Sequence, residues 1–180
     1  MAADPDPADP SRRTSVRSRP RVVAVAVAVV VLALALTLVV LDQRRLDAEQ
    51  AAVQRCSGDA VHALDLADSR LSAMATYVAP AQAPDPEEDA ADQSDLVGGL
   101  MGQAAGEARP GVAAAEETCA AVDVRPWHPG TASRRDNLVA YLDARLDQLD
   151  QITATGDGYD QPAAGLDVLR KRAFPDSVVD

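Results

Sequence analysis

Aromatic side chains are scarce in this sequence. One Trp, one Phe and three Tyr make up 3 per cent of its 180 residues, although 47 per cent of the residues are hydrophobic. The apolar content is therefore mostly Ala, Val and Leu, which suits packed helices and argues against an all-β sandwich. We predict an all-α protein with a small, aromatic-poor core.

Positive charge is also in short supply. The chain has 17 Lys and Arg residues against 28 Asp and Glu, and its formal net charge is −11. An anionic surface repels the phosphate backbone of nucleic acids. The composition therefore predicts that no nucleic acid is a partner.

Catalytic and metal-binding motifs are a third absence. The sequence has no G-x-S-x-G, no phosphate-binding glycine loop and no H-E-x-x-H. A zinc site or a Cys–His pair built from Cys56, His62, Cys119 and His128 has suitable residue types, but the spacings match neither compact zinc modules nor a protease signature. We expect a protein that is not an enzyme, with no catalytic residue, metal or cofactor.

Charge is absent altogether from residues 22–41, "VVAVAVAVVVLALALTLVVL". Twenty residues at about 1.5 Å each span the hydrocarbon core of a bilayer as a helix. Many of them are β-branched, but in lipid the backbone must satisfy its own hydrogen bonds, which favours a helix. The run predicts one transmembrane helix.

The residues on either side of this run predict its orientation. Five Arg lie between residues 12 and 21, whereas Arg44 and Arg45 follow the run among acidic residues. The positive-inside rule then predicts a single-pass protein of the cell membrane, with a cytoplasmic N-terminus and residues 42–180 extracytoplasmic. Residues 1–21 are rich in Pro and Asp, and we predict a disordered tail there.

A cleaved signal peptide is the alternative interpretation of the same run. Ala33-Leu34-Ala35 resembles a small-residue cleavage site behind an Arg-rich segment. The apolar run continues for six residues beyond Ala35, which favours an uncleaved anchor.

Residues 42–79 have the pattern of a long amphipathic helix. Two rows repeat every seven residues: Leu46, Val53, Ala60, Ala67 and Met74, and Gln50, Ser57, Leu64, Leu71 and Val78. This apolar seam can be filled by the protein's own bundle, by a second copy or by an envelope protein. We predict possible partner contacts at Leu64, Leu71 and Met74.

The rest of the chain divides at its prolines and glycines. Residues 80–95 read as an acidic, Pro-rich linker, residues 96–174 as the helical remainder of an antiparallel bundle, and residues 175–180 as a tail. The predicted helices are Leu96–Ala108, Gly111–Val122 after a break at Pro110, Ser133–Thr153 capped by Ser133 and ended by Gly156, and a short one containing Leu166 and Leu169.

Three glycines spaced by four residues, Gly98, Gly102 and Gly106, have two interpretations. On a helix they would form a smooth stripe that lets another backbone approach closely. Each Gly also disfavours a helix by up to about 1 kcal/mol, so we expect a loosely ordered stretch instead.

The two cysteines both follow the predicted membrane span. Disulfides persist in oxidising compartments, so the sequence predicts a Cys56–Cys119 bond. The bond would close a loop of about 64 residues and remove about 4 kcal/mol of unfolded-state freedom on the chain-entropy model.

The stretch "CAAVDVRPWHPG", residues 119–130, contains the only Trp and one of two His. Pro126, Pro129 and Gly130 are typical of a turn between two helices. We expect Trp127 to cover one end of the core, and keep open that it is an exposed partner contact.

These features together predict a membrane-anchored helical protein with a structural or protein-interaction role in the cell envelope. Two other functions stay open. One is a ligand-binding or sensory bundle that acts through a membrane partner, and the other is a secreted protein released after signal cleavage.

Overall fold

The computed structural model describes residues 19–78, 90–157 and 165–175. Within these ranges the chain forms four helices and no strand: α1 (Arg19–Val78), α2 (Ala90–Ala120), α3 (Pro129–Thr155) and α4 (Leu166–Ala173). The predicted all-α class is confirmed. The predicted tails at 1–21 and 175–180 and the predicted linker fall largely outside the described residues.

The chain divides into two compact units, Met1–Arg45 and Leu46–Asp180. In the first unit the apolar side chains from Val23 to Leu41 are all exposed. The most apolar 18-residue stretch has a mean hydropathy of 3.2 and none of it is buried. Among the described helices only α1 is long and apolar enough to cross a membrane. This criterion is one of length and composition, which a signal sequence near an N-terminus also meets.

In the second unit α1 and α2 pack antiparallel. Cys56 on α1 is bonded to Cys119 near the end of α2. Farther along α1, the Arg70 guanidinium donates a hydrogen bond of 3.0 Å to the carbonyl of Glu107, nearer the start of α2. The two contacts occur in opposite order along the two helices, so α1 and α2 run in opposite directions.

Helix α3 returns in the direction of α1. Glu49 of α1 contacts His128 at the start of α3, and Asp68 of α1 accepts a hydrogen bond from Arg145 farther along it. Helices α1, α2 and α3 thus run up, down and up, and α4 packs back on α3 with Phe174 edge-on to Tyr141, ring centroids 5.7 Å apart. The predicted antiparallel bundle is what the chain forms.

The apolar seam of α1 lies inside this bundle. Its fully buried positions recur every three or four residues: Val53, Cys56, Ala60, Leu64, Ala67 and Leu71. In the first predicted row Val53, Ala60 and Ala67 are buried, whereas Leu46 and Met74 at its two ends are half-buried. In the second row Leu64 and Leu71 are buried, but Gln50 is exposed and Cys56 takes the place of Ser57 in the core.

Helix α2 differs from the prediction because it is continuous from Ala90 to Ala120, with Pro110 inside it. Residues 90–95, predicted as linker, are its first turns. Pro110 omits one backbone hydrogen bond, which disfavours a helix. Ala108 and Val112 on either side of it are both buried in the core, and this packing outweighs the local cost.

The predicted loosely ordered glycine stretch is wrong for a related reason. Gly98, Gly102 and Gly106 lie on α2 and face the end of α3. A Cβ on Gly102 would come within 3.0 Å of the carbonyl oxygen of Thr153. The alternative interpretation is correct: the stripe is the surface on which two backbones approach.

Helix α3 begins four residues earlier than predicted. His128 is its N-cap residue, Pro129 occupies the first turn and Gly130 is helical, so Ser133 is an exposed residue inside the helix and not its cap. The predicted end at Gly156 is confirmed, because Gly156 is left-handed (φ 69°) and its N–H donates to the carbonyl of Ile152 at 2.7 Å.

Candidate functional site

The connection between α2 and α3, residues 121–128, turns the chain sharply and will be called the corner. The carbonyl of Val122 accepts a 2.9 Å hydrogen bond from the guanidinium of Arg135 on α3. The N–H of His128 donates to the carbonyl of Arg125 at 3.0 Å. The predicted turn between two helices is confirmed, and these bonds hold it against the bundle.

A buried hydrogen-bonded pair, His128 and Glu49, ties the corner to α1. Nδ1 of His128 lies 2.6 Å from Oε2 of Glu49, and the two side chains are only 6 and 11 per cent exposed. The hydrogen bond from His128 lowers the pKa of Glu49 below its ordinary value, with smaller contributions from Arg125. Glu49 is therefore a carboxylate at neutral pH and can only accept, so Nδ1 of His128 carries the proton that is donated.

Arg125 and Trp127 form the outer side of the corner. The backbone N–H of Arg125 donates to Oε2 of Glu49 at 3.5 Å, and its Nε lies 3.8 Å from Oε1. Its guanidinium carbon also stands 5.1 Å from the ring centroid of Trp127, within range of a cation–π interaction. Trp127 remains 58 per cent exposed. The expectation that it covers the core is wrong, since His128 is the side chain buried there.

A groove of about 470 Å³ opens beside Trp127, between α1 and the start of α3. Its lining is mixed apolar and polar: Leu46, Gln50, Val53, Gln54, Trp127, His128, Pro129, Gly130, Thr131 and Arg134. The volume is in the range of small-molecule pockets. The groove is therefore a candidate binding surface among the described residues.

The predicted disulfide is confirmed. Cys56 and Cys119 are bonded, with their Cα atoms 5.3 Å apart and a sequence separation of 63. Because both sulfurs are used in this bond, neither is available as a nucleophile or a zinc ligand. Among the described residues no three His, Cys, Asp or Glu side chains are grouped as a metal site would require.

The four predicted partner contacts differ in their exposure. Leu64 and Leu71 are buried in the core of this chain and Met74 packs against it. These three side chains are therefore used within the bundle and do not form a free partner surface. Trp127 is the one exposed member of the set.

Sequence reasoning missed Glu49 entirely. Its partner His128 lies 79 positions away, and nothing in the local sequence distinguishes it from neighbouring solvent-exposed acids. It also missed Arg145, a largely buried cation on α3 whose guanidinium donates to Asp68 of α1 and Gln148 of its own helix. Both pairs depend on the register between helices.

Comparison with known proteins adds no assignment to this geometry. No family model, curated protein or solved structure matches the chain.

Proposed function

We propose that the protein is a single-pass membrane protein that holds a disulfide-linked helical bundle outside the membrane, with a structural or protein-interaction role in the cell envelope. The observation that carries the proposal is the Cys56–Cys119 disulfide in a chain that also contains a 20-residue uncharged run. The bond favours an oxidising compartment for residues 46–180. The Arg-rich flank before residue 22 independently favours the same orientation.

Interaction would use the outer surface of the bundle, because the α1 seam is filled internally. The exposed large hydrophobic side chains of the second unit include Val61, Leu66, Tyr77, Leu96, Trp127 and Val168. Of these, only Trp127 lines the groove beside the corner.

Membrane topology is tested with the full chain in cells. One variant carries Ser15→Cys before the apolar run and a matched one carries Ser133→Cys, an exposed position on α3. Intact cells or spheroplasts are treated with a membrane-impermeant maleimide, and the membranes are extracted with carbonate. Intact mass without reductant checks that the native disulfide is unchanged.

The proposal predicts full-length protein in the extracted membrane, labelling of Ser133→Cys on intact cells, and labelling of Ser15→Cys only after permeabilisation. If Ser15→Cys were labelled on intact cells and Ser133→Cys only after permeabilisation, the orientation would be the reverse of the proposed one. A soluble chain that begins after residue 35 would support the secreted alternative and exclude the anchor. Crosslinking in intact cells should then recover a protein partner, whereas a small molecule retained by the native protein would favour the ligand-binding alternative.

A further inference from the structure

The groove beside the corner continues into a second, smaller opening of about 80 Å³ between α1 and α3. Val53, Gln54 and Arg134 line both openings, so we treat the two as one surface and call it the α1–α3 groove. It follows α1 from Leu46, at the corner end, to Ser57. At about 1.5 Å per helical residue, this stretch of α1 is about 16 Å long.

The end of the groove that is farther from the corner lies beside the end of α4. Ala173, the last residue of α4, lines the smaller opening together with Leu138 of α3. Phe174 comes next and packs edge-on against Tyr141. The last described residue is Pro175, so the chain leaves the described structure beside one end of the groove.

The length of chain that follows matches the length of the groove. Residues 176–180, "DSVVD", come directly after Pro175. Five residues in an extended conformation span at most about 18 Å. A segment that starts at the α4 end can therefore reach the corner end, where Trp127 lies.

The segment also resembles the groove in polarity. Its central residues, Val178 and Val179, are apolar, and the groove offers them the apolar side chains of Leu46 and Val53. Burial of such surface is the main driving force for contacts of this kind.

The polar parts of the segment find suitable surroundings as well. Gln50 and Gln54 place amide side chains along the groove, and these can pair with the backbone N–H and C=O groups of an extended segment. The segment has an Asp on either side of its apolar residues. No Asp or Glu is among the described residues that line the groove, so these carboxylates meet no like charge in its lining.

We propose that residues 176–180 occupy the α1–α3 groove of their own chain in an extended conformation. Val178 and Val179 lie against its apolar lining, and Asp180 lies near Trp127. A partner that uses this groove must then displace the segment first. Segment and groove both belong to the second unit, so the proposal does not depend on the membrane anchorage.

The test measures the distance between the segment and Trp127, the only Trp in the sequence. Asp180→Cys in the full chain adds one thiol, which is labelled with a maleimide nitroxide, a short-range quencher of indole fluorescence. Emission is recorded in dilute detergent micelles before and after the nitroxide is reduced with ascorbate. The matched control carries the same label at Asp157→Cys, an exposed position just after α3.

The label at position 180 should remove most of the Trp127 emission, and ascorbate should restore it, whereas the label at position 157 should have no effect. Adding Val178→Asp and Val179→Asp to the chain labelled at position 180 should also restore the emission, because charged side chains are disfavoured against an apolar lining. Circular dichroism and intact mass without reductant check that the helices and the native disulfide are unchanged.

Deletion of residues 176–180 provides a second measurement without any label. It should increase the quenching of Trp127 by acrylamide, because the segment no longer covers the groove. Full emission from the folded chain labelled at position 180, or acrylamide quenching that is the same with and without the segment, would overturn the proposal and leave the groove open to another ligand.

A mixing experiment distinguishes docking within one chain from docking between two. The Trp127→Phe chain labelled at position 180 is mixed with unlabelled wild type. The proposal predicts full emission from the mixture. Loss of emission would mean that the segment binds a second copy, and the assignment to its own chain would be wrong.

Discussion

The two ends of the bundle are closed by different kinds of interaction. At the corner end, a disulfide joins α1 to α2 and the buried Glu49–His128 pair joins α1 to the start of α3. At the opposite end, which we call the glycine end, α2 and the end of α3 meet with almost no side chain between them: a Cβ on Gly156 would overlap the backbone of Gly98.

This difference determines what can loosen each end. A reductant breaks the bond at the corner end, and acid protonates its carboxylate. At the glycine end the close contact is between the backbones of Gly98 and Gly156. Neither reductant nor acid alters that contact, so an added side chain is what separates the helices there. The corner end is thus sensitive to reductant and acid, whereas the backbone contact at the glycine end is not.

The largest expected effect comes from removing the covalent joint. Replacing both Cys56 and Cys119 with Ala should lower the free energy of unfolding by about 4 kcal/mol, because the unfolded chain regains the freedom of the closed loop. Urea unfolding of the full chain in detergent micelles, followed by Trp127 fluorescence and circular dichroism, measures the change. Wild type kept in reductant should match the double variant. A loss below about 1 kcal/mol would show that the unfolded chain is restrained by other means.

Gly156→Ala should cost about 2 to 4 kcal/mol and act on the opposite end. The backbone at position 156 has a positive φ of 69°, which alanine disfavours, and the added Cβ would overlap the backbone of Gly98. The same urea unfolding measures the loss. The difference in unfolding free energy between wild type and variant should be the same in the presence and in the absence of reductant.

Gly99→Ala is the matched control for this substitution. Gly99 lies on α2 beside Gly98, but a Cβ there meets nothing within 4 Å. It should stabilise the protein by up to about 1 kcal/mol through helix propensity. Destabilisation by both substitutions would mean that neither α2 nor the end of α3 tolerates an added side chain here, and the close approach at Gly156 would then not explain the loss.

The smallest expected effect is the pH dependence of the Glu49 contact. Because the folded-state pKa of Glu49 is lowered by His128, its contribution is present above the unfolded pKa and is lost as pH falls through the folded value. Glu49→Gln should therefore destabilise the protein at pH 7, and the difference from wild type should shrink as the pH drops below the ordinary carboxyl range. A difference that stays constant down to the acid limit would contradict an ionised Glu49.

The features that could be predicted from the sequence are those that depend on residue periodicity or on the cellular compartment. The heptad spacing of α1 predicts its buried face because helix geometry repeats locally. The Cys56–Cys119 bond follows from two cysteines beyond an apolar run. Gly156 was identified as a helix end because a left-handed residue after a helix is most often glycine.

The features that the sequence failed to predict are those decided between helices. Pro110 and the glycine stripe are unfavourable in an isolated helix, and only the core around Val112 and the close approach of Thr153 make them compatible with α2. The burial of Trp127 was predicted from its size, but His128 has Glu49 as a partner, so the imidazole is the group that can be buried at low cost.

The Cys56–Cys119 bond also determines what a protease can release. A single cut anywhere between residues 57 and 118 falls inside the loop that the bond closes, so the two pieces remain one covalent molecule. Residues 119–180 stay attached to whatever holds residues 1–56. Shedding of the intact bundle by proteolysis therefore requires a cut on the N-terminal side of Cys56, and a nicked chain runs at full size on a gel until reductant is added.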